Sequence, residues 1–209
     1  MRRTAAVADQ VHRKPLEVWF EFASTYSYLS VMRVEDLAIQ SNISLVWRPF
    51  LLGPVFKAKG WETSPFVMDE AKGRYMWRDV ERRAIKYGLP FKRPEVFPAN
   101  GLAAARLMMA AHGETWSGDF ARAMFRAQFE DGADISQRET LTLALTSVGV
   151  DARSWIDRSQ QVSTKAALRQ QSLEAMKIGV FGAPTFCVGD ELFWGDDRLE
   201  DAVEWACAL

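Results

Sequence analysis

Between Leu16 and Ser30 the residue pattern changes period within a few positions, and this switch constrains the fold more than any other feature of the sequence. Leu16, Val18, Phe20 and Phe22 alternate with Glu17, Trp19 and Glu21, the two-residue period of a β-strand. Trp19 is apolar on the otherwise polar face, so both faces are expected to be covered, as in the middle of an α/β sheet. Tyr28, Val31, Val34, Leu37 and Ala38 then recur at helical spacing, with Ser24, Thr25 and Ser27 available as caps at the junction. A strand feeding straight into a helix leaves several N–H groups unpaired at the positive end of the helix dipole. Anions bind at such ends, and thiolates are stabilised there. The junction is therefore the candidate site.

Composition narrows the class. A chain of 209 residues, 48% hydrophobic and 25% charged, suits one large domain or a small domain carrying an insertion. Its net charge of −1 provides no basic field for nucleic acid. The longest apolar runs fall short of a membrane span. Met1 to Arg13 has early arginines but no apolar segment and reads as a loose tail rather than a secretory signal, so a cytoplasmic location is expected. Cys187 and Cys207 form no C-x-x-C, and a zinc site would have to recruit His12 and His112 from distant places. His112, before Gly113, suits a helix end, and both cysteines are expected to be buried small hydrophobes.

Ile43, Leu45 and Trp47 mark a second strand that Pro49 ends, giving a β-α-β unit with a parallel pair. Phe50 to Glu62 reads as a loop with Gly53-Pro54 and Gly60 as breakers. From Thr63 to about Gly179 the pattern is helical throughout. Ser64-Pro65 starts a helix that Gly88 stops, Asn100 can cap one running to about His112, and Trp116, Phe120 and Ala123 carry another. Ser136-Gln137-Arg138-Glu139 reads as a capping box for a helix to Gly149, followed by helices over 151–159 and 162–178. The Met and aromatic stripes of this region (Met68, Met76, Trp77, Met108, Met109, Met124, Phe125) read as core rather than as cavity lining. Thr185 to Trp194 forms a hairpin through Gly189-Asp190, and Asp196 or Asp197 is expected to cap a final helix.

This order, with Ala183-Pro184-Thr185 before the third strand, resembles the thioredoxin fold, which implies a cis-proline facing the active-site helix start. The class is α/β, a thioredoxin-like fold with a large all-helical insertion between its second and third strands. The expected organisation is a tail over 1–14, a thioredoxin-like domain over 15–62 and 160–209, and a helical insertion over 63–159. Where thioredoxin-like oxidoreductases carry C-x-x-C, this sequence reads Ser24-Thr25-Tyr26-Ser27, which excludes disulfide exchange by the protein's own residues. The junction Phe20 to Leu29 resembles that of the kappa-class glutathione transferase and 2-hydroxychromene-2-carboxylate isomerase family, within the DsbA-like group. Arg48-Pro49-Phe50-Leu51-Leu52-Gly53, Phe97-Pro98-Ala99-Asn100, Phe181-Gly182-Ala183-Pro184-Thr185-Phe186 and Leu192 to Leu199 extend the likeness over nearly the whole chain after the tail.

That resemblance implies glutathione as cofactor, supplying the sulfur the junction lacks. Ser24 matches the family's catalytic serine, whose hydroxyl donates to the glutathione sulfur. A thiol with a pKa of about 8.5 is mostly protonated at neutral pH, and lowering it by about two units takes roughly 2.7 kcal/mol of differential stabilisation. Ala183, before cis-Pro184, matches the position whose backbone pairs with the cysteinyl part in the manner of an added strand. Gly195, Asp196, Asp197 and Arg198 match a segment that holds the γ-glutamyl end, where a carboxylate accepts from the ammonium. Lys57 and Asn100 match contacts to an aromatic carboxylate, while Arg48 reads as structural beside Pro49. Thr25 replaces a frequent proline and Glu62 a frequent asparagine, which implies a different outer pocket.

The expected activity is isomerisation of 2-hydroxychromene-2-carboxylate or a related aromatic-degradation intermediate. A kappa-like transferase that conjugates electrophiles and a non-catalytic peptide-binding module are the alternatives. The expected partner is a small aromatic carboxylate, with neither nucleic acid nor membrane, and the family's habit implies a homodimer.

Overall fold

The computed structural model describes residues 14–208, so the tail assignment and His12 lie outside the described residues. Strand β1 (Leu16–Phe20) leads through Ser24 into helix α1 (Thr25–Gln40), and β2 (Leu45–Pro49) follows. Helices α2 (Leu52–Ala58), α3 (Pro65–Met68), α4 (Glu70–Tyr87), α5 (Leu102–Ala110), α6 (Ser117–Phe129), α7 (Arg138–Ser147), α8 (Ala152–Ser159) and α9 (Val162–Lys177) separate β2 from β3 (Thr185–Val188). The hairpin partner β4 (Glu191–Trp194), a 3₁₀ turn (Asp196–Arg198) and α10 (Leu199–Ala208) close the chain.

The sheet order is β2-β1-β3-β4. As the β-α-β reading requires, β1 and β2 are parallel, with Val18 opposite Trp47. β3 runs antiparallel to β1, placing Thr185 beside Trp19, and pairs with β4 antiparallel. This is a thioredoxin-like fold.

Both faces of β1 are covered, and the two-residue period divides its side chains between two cores. Leu16, Val18 and Phe20 enter a large cluster shared by α1, α4, α5, α6 and α10. Trp19 enters a smaller one with Phe50, Val55, Ala175, Val180 and Cys187. Arg48 is structural, as expected: its guanidinium pairs with Glu17 at 2.5 Å and lies over the Trp19 ring. The long helical segment is continuous with the sheet through the larger cluster, where Met76, Met108, Met124 and Phe125 are fully buried. Met68 departs from its stripe and is exposed, because α3 is a single short turn on the surface.

Several local expectations give way to tertiary structure. The segment expected to be a loop after Pro49 contains α2. Pro54 fits there because it falls in the first turn, where its missing N–H has no helical acceptor. The helix expected from Pro65 to Gly88 breaks at Asp69, which ends α3 and caps α4 through the Lys72 N–H at 3.1 Å. Gly73 permits this fold-back, since a Cβ there would strike the Phe66 carbonyl. The expected capping box at Ser136 does not form: Gln137 holds the cap position without a side-chain bond, and Asp134 accepts from the Ser136 N–H instead. Cys207 is exposed, because the buried stripe of α10 runs through Leu199, Ala202, Val203 and Ala206 and leaves position 207 outside it.

Candidate active site

Ser24 is the N-cap of α1, with extended backbone (φ −80°, ψ 118°), and its Oγ accepts from the Ser27 N–H at 3.1 Å. The same hydroxyl donates to the Ala183 carbonyl at 2.9 Å. The Ala183-Pro184 peptide is cis, as the resemblance implies, so the pre-β3 loop lies directly against the start of α1. Beside this pair opens a cavity of about 1020 Å³, large enough for a tripeptide together with a small second molecule. A second cis peptide, Phe97-Pro98, lies in the loop that forms another part of its wall. Nothing in the sequence reading singled that bond out.

Thr25, at the position where the resemblance suggests proline, is 2% exposed and turns its hydroxyl to the Met76 sulfur at 3.2 Å. Tyr26 donates to Asp79 at 3.0 Å; burial, reinforced by that carboxylate, pushes its phenol well above the ordinary range. Neither cysteine lines the cavity. Cys187 is buried in the smaller core, and its thiol is pushed up to about 12 by loss of solvation, with Glu17 adding to the effect.

The segment after β4 divides its expected roles. Gly195 adopts φ 112°, a conformation suited to glycine, and a side chain there would meet the Asp197 carboxylate at 2.6 Å. Its N–H donates to the Pro184 carbonyl at 3.0 Å, locking the segment to the cis-proline loop. Asp196 is 1% exposed and already saturated. It accepts from Arg33 at 3.0 Å, Arg83 at 2.7 Å, Ser30 at 3.0 Å and Tyr87 at 3.3 Å. It therefore neither caps α10 nor has an acceptor left for an ammonium group. Asp197 lines the cavity with a half-exposed side chain and is the carboxylate of this segment that remains available there. Arg198 points elsewhere, pairing with Asp201 at 2.7 Å and with Asp197 at 3.2 Å, and does not line the cavity.

Of the two residues expected on the substrate side, Asn100 lines the cavity, although its Oδ1 is used by the Leu102 N–H at 3.1 Å. Lys57 does not: it lies exposed in the last turn of α2, outside the cavity wall. The lysine at the cavity is Lys59, whose ammonium sits 5.1 Å from the Trp61 ring and 5.2 Å from the Phe181 ring. Phe181 in turn packs on Trp194 at 4.7 Å. The helix turn of α2 explains the difference, since it carries position 57 away from the mouth and returns the chain at 59–61. Glu62 lies on the same wall.

Sequence reasoning passed over Glu21, Lys59, Arg83 and the Phe181–Trp194 pair, all of which line the cavity. Glu21 had a signal, as an acid between two buried phenylalanines three residues before Ser24. Arg83 had none, because its role depends on how α4 crosses α1.

The fold and this thiol-free junction define a thioredoxin-fold protein of the DsbA-like group, and the chain belongs to the DSBA-like thioredoxin domain family, whose model matches residues 15–204. It is 29% identical over 188 residues to the 2-hydroxychromene-2-carboxylate isomerase of Sphingobium xenophagum, covering 90% of this chain and 95% of the relative. It is 22% identical to glutathione S-transferase kappa 2 of Caenorhabditis elegans, covering 93% and 92%. A solved structure of a 2-hydroxychromene-2-carboxylate isomerase superposes with a TM-score of 0.83 at 25% identity, covering 92% and 95%. A cytosolic disulfide reductase, DsbM of Pseudomonas aeruginosa, solved with glutathione, shares the fold at a TM-score of 0.64 and 16% identity, covering 93% and 96%. Among the described residues no helix is long and apolar enough to cross a membrane.

Proposed function

We propose that the protein is a glutathione-dependent isomerase of 2-hydroxychromene-2-carboxylate or a related ring-closed aryl pyruvate, acting in the cytoplasm. The observation that carries this is the Ser24 hydroxyl, poised at the start of α1 against the Ala183 carbonyl, in a large cavity to which the chain contributes no thiol. The donor set fits glutathione. No hydrogen bond within the described residues occupies the Ala183 N–H, leaving it for strand-like pairing with the cysteinyl backbone. Asp197 is the acceptor for the γ-glutamyl ammonium. When bound, glutathione supplies a thiolate that adds reversibly to the conjugated carbon, freeing a bond to rotate before elimination.

The residues divide the remaining tasks. Ser24 turns its hydroxyl from Ala183 to the sulfur, and with the N–H groups of α1 holds the sulfur as an anion. Asn100 and Lys59 orient the substrate's carboxylate and phenolic oxygens, and the aromatic wall of Trp61, Phe181 and Trp194 excludes water from the ring. A kappa-like transferase would share this apparatus and differ in leaving glutathione attached to an electrophile. The test is to incubate the protein with glutathione and the chromene carboxylate and count both at the end. Conversion to the trans-alkene with glutathione returned unchanged is expected. Glutathione consumed in proportion to product would make it a transferase, and no binding of glutathione would leave a peptide-binding module.

A further inference from the structure

Glu21 lies where β1 ends, and its side chain lines the same cavity as Ser24 while remaining only 9% exposed. Its Oε2 accepts from the Ala23 N–H at 3.2 Å. The Ser27 hydroxyl, at the start of α1, faces its backbone N–H at 3.5 Å. From the other side the loop before α5 closes over it at Gly101, where a Cβ would lie 3.1 Å from Oε1 and 2.9 Å from the Phe22 Cβ. Asp196 is buried more deeply still but lies between two guanidinium groups; Glu21 has no cation within salt-bridge distance among the described residues. The charged groups elsewhere on the cavity wall, Lys59, Glu62, Lys72, Asp79, Arg83 and Asp197, form no ion pair with it. A buried carboxyl without a compensating charge favours its neutral form. Loss of solvation pushes Glu21 up to about 7, opposed only by the Ala23 N–H.

We propose that Glu21 is the proton donor and acceptor of the isomerisation, protonating the substrate oxygen released in ring opening and recovering a proton from the enol oxygen when the ketone re-forms. This rests on the isomerase assignment above. In the opening step a C–S bond forms at the conjugated carbon and the ring C=C pair shifts to make the enol double bond. The electron pair of the ring C–O bond leaves with the ring oxygen, which takes the Glu21 proton to become a phenol. In the elimination step the enol O–H proton returns to the Glu21 carboxylate as that oxygen's electrons form the carbonyl. The enol C=C pair shifts to make the trans alkene, and the C–S bond breaks with its pair leaving on sulfur. The carboxyl is regenerated, and no external acid, base or oxidant is needed. An acid with a pKa near the working pH is the effective choice for such a transfer. The site then requires opposite ionisation of its two groups, the sulfur as anion and Glu21 as neutral acid, so activity falls as Glu21 ionises.

The experiment compares wild type, Glu21→Gln and Glu21→Asp with glutathione and the chromene carboxylate. Wild type is expected to lose kcat as pH rises through about 7. Glu21→Gln is expected to lose about 10²- to 10⁴-fold in kcat together with that alkaline limb. It should bind glutathione and ionise its thiol as wild type does, read by calorimetry and thiolate absorbance. Glu21→Asp should regain part of the rate with a displaced limb, which a folding defect would not produce. Infrared difference spectra of wild type against Glu21→Gln, taken with glutathione bound, should show a protonated carboxyl stretch that disappears as pH passes neutrality. A Glu21→Gln protein with wild-type kcat and pH profile overturns the role of Glu21 and leaves the isomerase assignment standing, as does a carboxyl band already absent in mild acid. A wild-type protein that binds glutathione but leaves the substrate unconverted overturns the isomerase assignment itself.

Discussion

Replacing Asp196 by asparagine separates a structural carboxylate from a ligand-binding one. In the native protein this side chain, 1% exposed, joins α1 to α4 through Arg33 and Arg83, whose side chains are 14% and 22% exposed, and it anchors Ser30 and Tyr87 as well. Asparagine keeps the volume but removes the charge, leaving two guanidinium groups side by side over one neutral amide. Removing one partner of a buried ion pair costs about 3–5 kcal/mol. The residual exposure of both arginines lets water reach them and places the expected cost near the lower end, about 3 kcal/mol. For a chain of this length each kcal/mol moves Tm by about 2–4 °C, so a fall of about 6–12 °C is expected. Thermal unfolding with and without glutathione is the assay. The Asp196→Asn protein should melt low in both cases, whereas Asp197→Asn, changing a half-exposed side chain, should match wild type without ligand and lose only the glutathione-dependent rise. An Asp196→Asn protein that melts like wild type and loses only that rise would refute the structural role.

Three further outcomes follow from the cavity. The Glu21 carboxyl is raised from its ordinary 4.5 to about 7, so the native state holds a proton that the unfolded chain releases. Stability therefore falls as pH rises from about 4.5 to 7, by about 3 kcal/mol in all, and urea titrations of Glu21→Gln should lack that component of the slope. Lys59→Ala should raise KM for the carboxylate substrate up to about fivefold, the effect of one exposed charge pair, while Lys57→Ala should leave it unchanged in steady-state kinetics. Gly101→Ala should destabilise the protein by about 1–3 kcal/mol in urea unfolding, because its Cβ would press on Phe22 at 2.9 Å.

The parts of this protein readable from sequence are those in which local pattern and tertiary role coincide. The alternation of Leu16, Val18 and Phe20, the abrupt switch at Ser24 and the hairpin through Gly189 each specify one local structure, and tertiary packing agrees with them. Ser24 could be found because a helix cap is a local device and the chain has no thiol at that place. Asp196 was found for the wrong reason. An aspartate before a helix reads as a cap, and only the crossing of α1 and α4 shows that two arginines have claimed it. The choice between Lys57 and Lys59 was hidden because both sit in one short segment, and the turn of α2 decides which faces the cavity. Glu21 was visible as a residue but not as a buried acid, since the loop that closes over it at Gly101 lies eighty positions further along the chain.

The central claim is that Ser24 and the start of α1 hold glutathione as a thiolate. Its most direct test is a pH titration of thiolate absorbance for glutathione bound to wild type and to Ser24→Ala. Wild type should ionise the bound thiol about two units below the free value of about 8.5, and Ser24→Ala should bind glutathione yet ionise it at a distinctly higher pH than wild type. Equal ionisation in the two proteins, or no binding by either, would contradict the account.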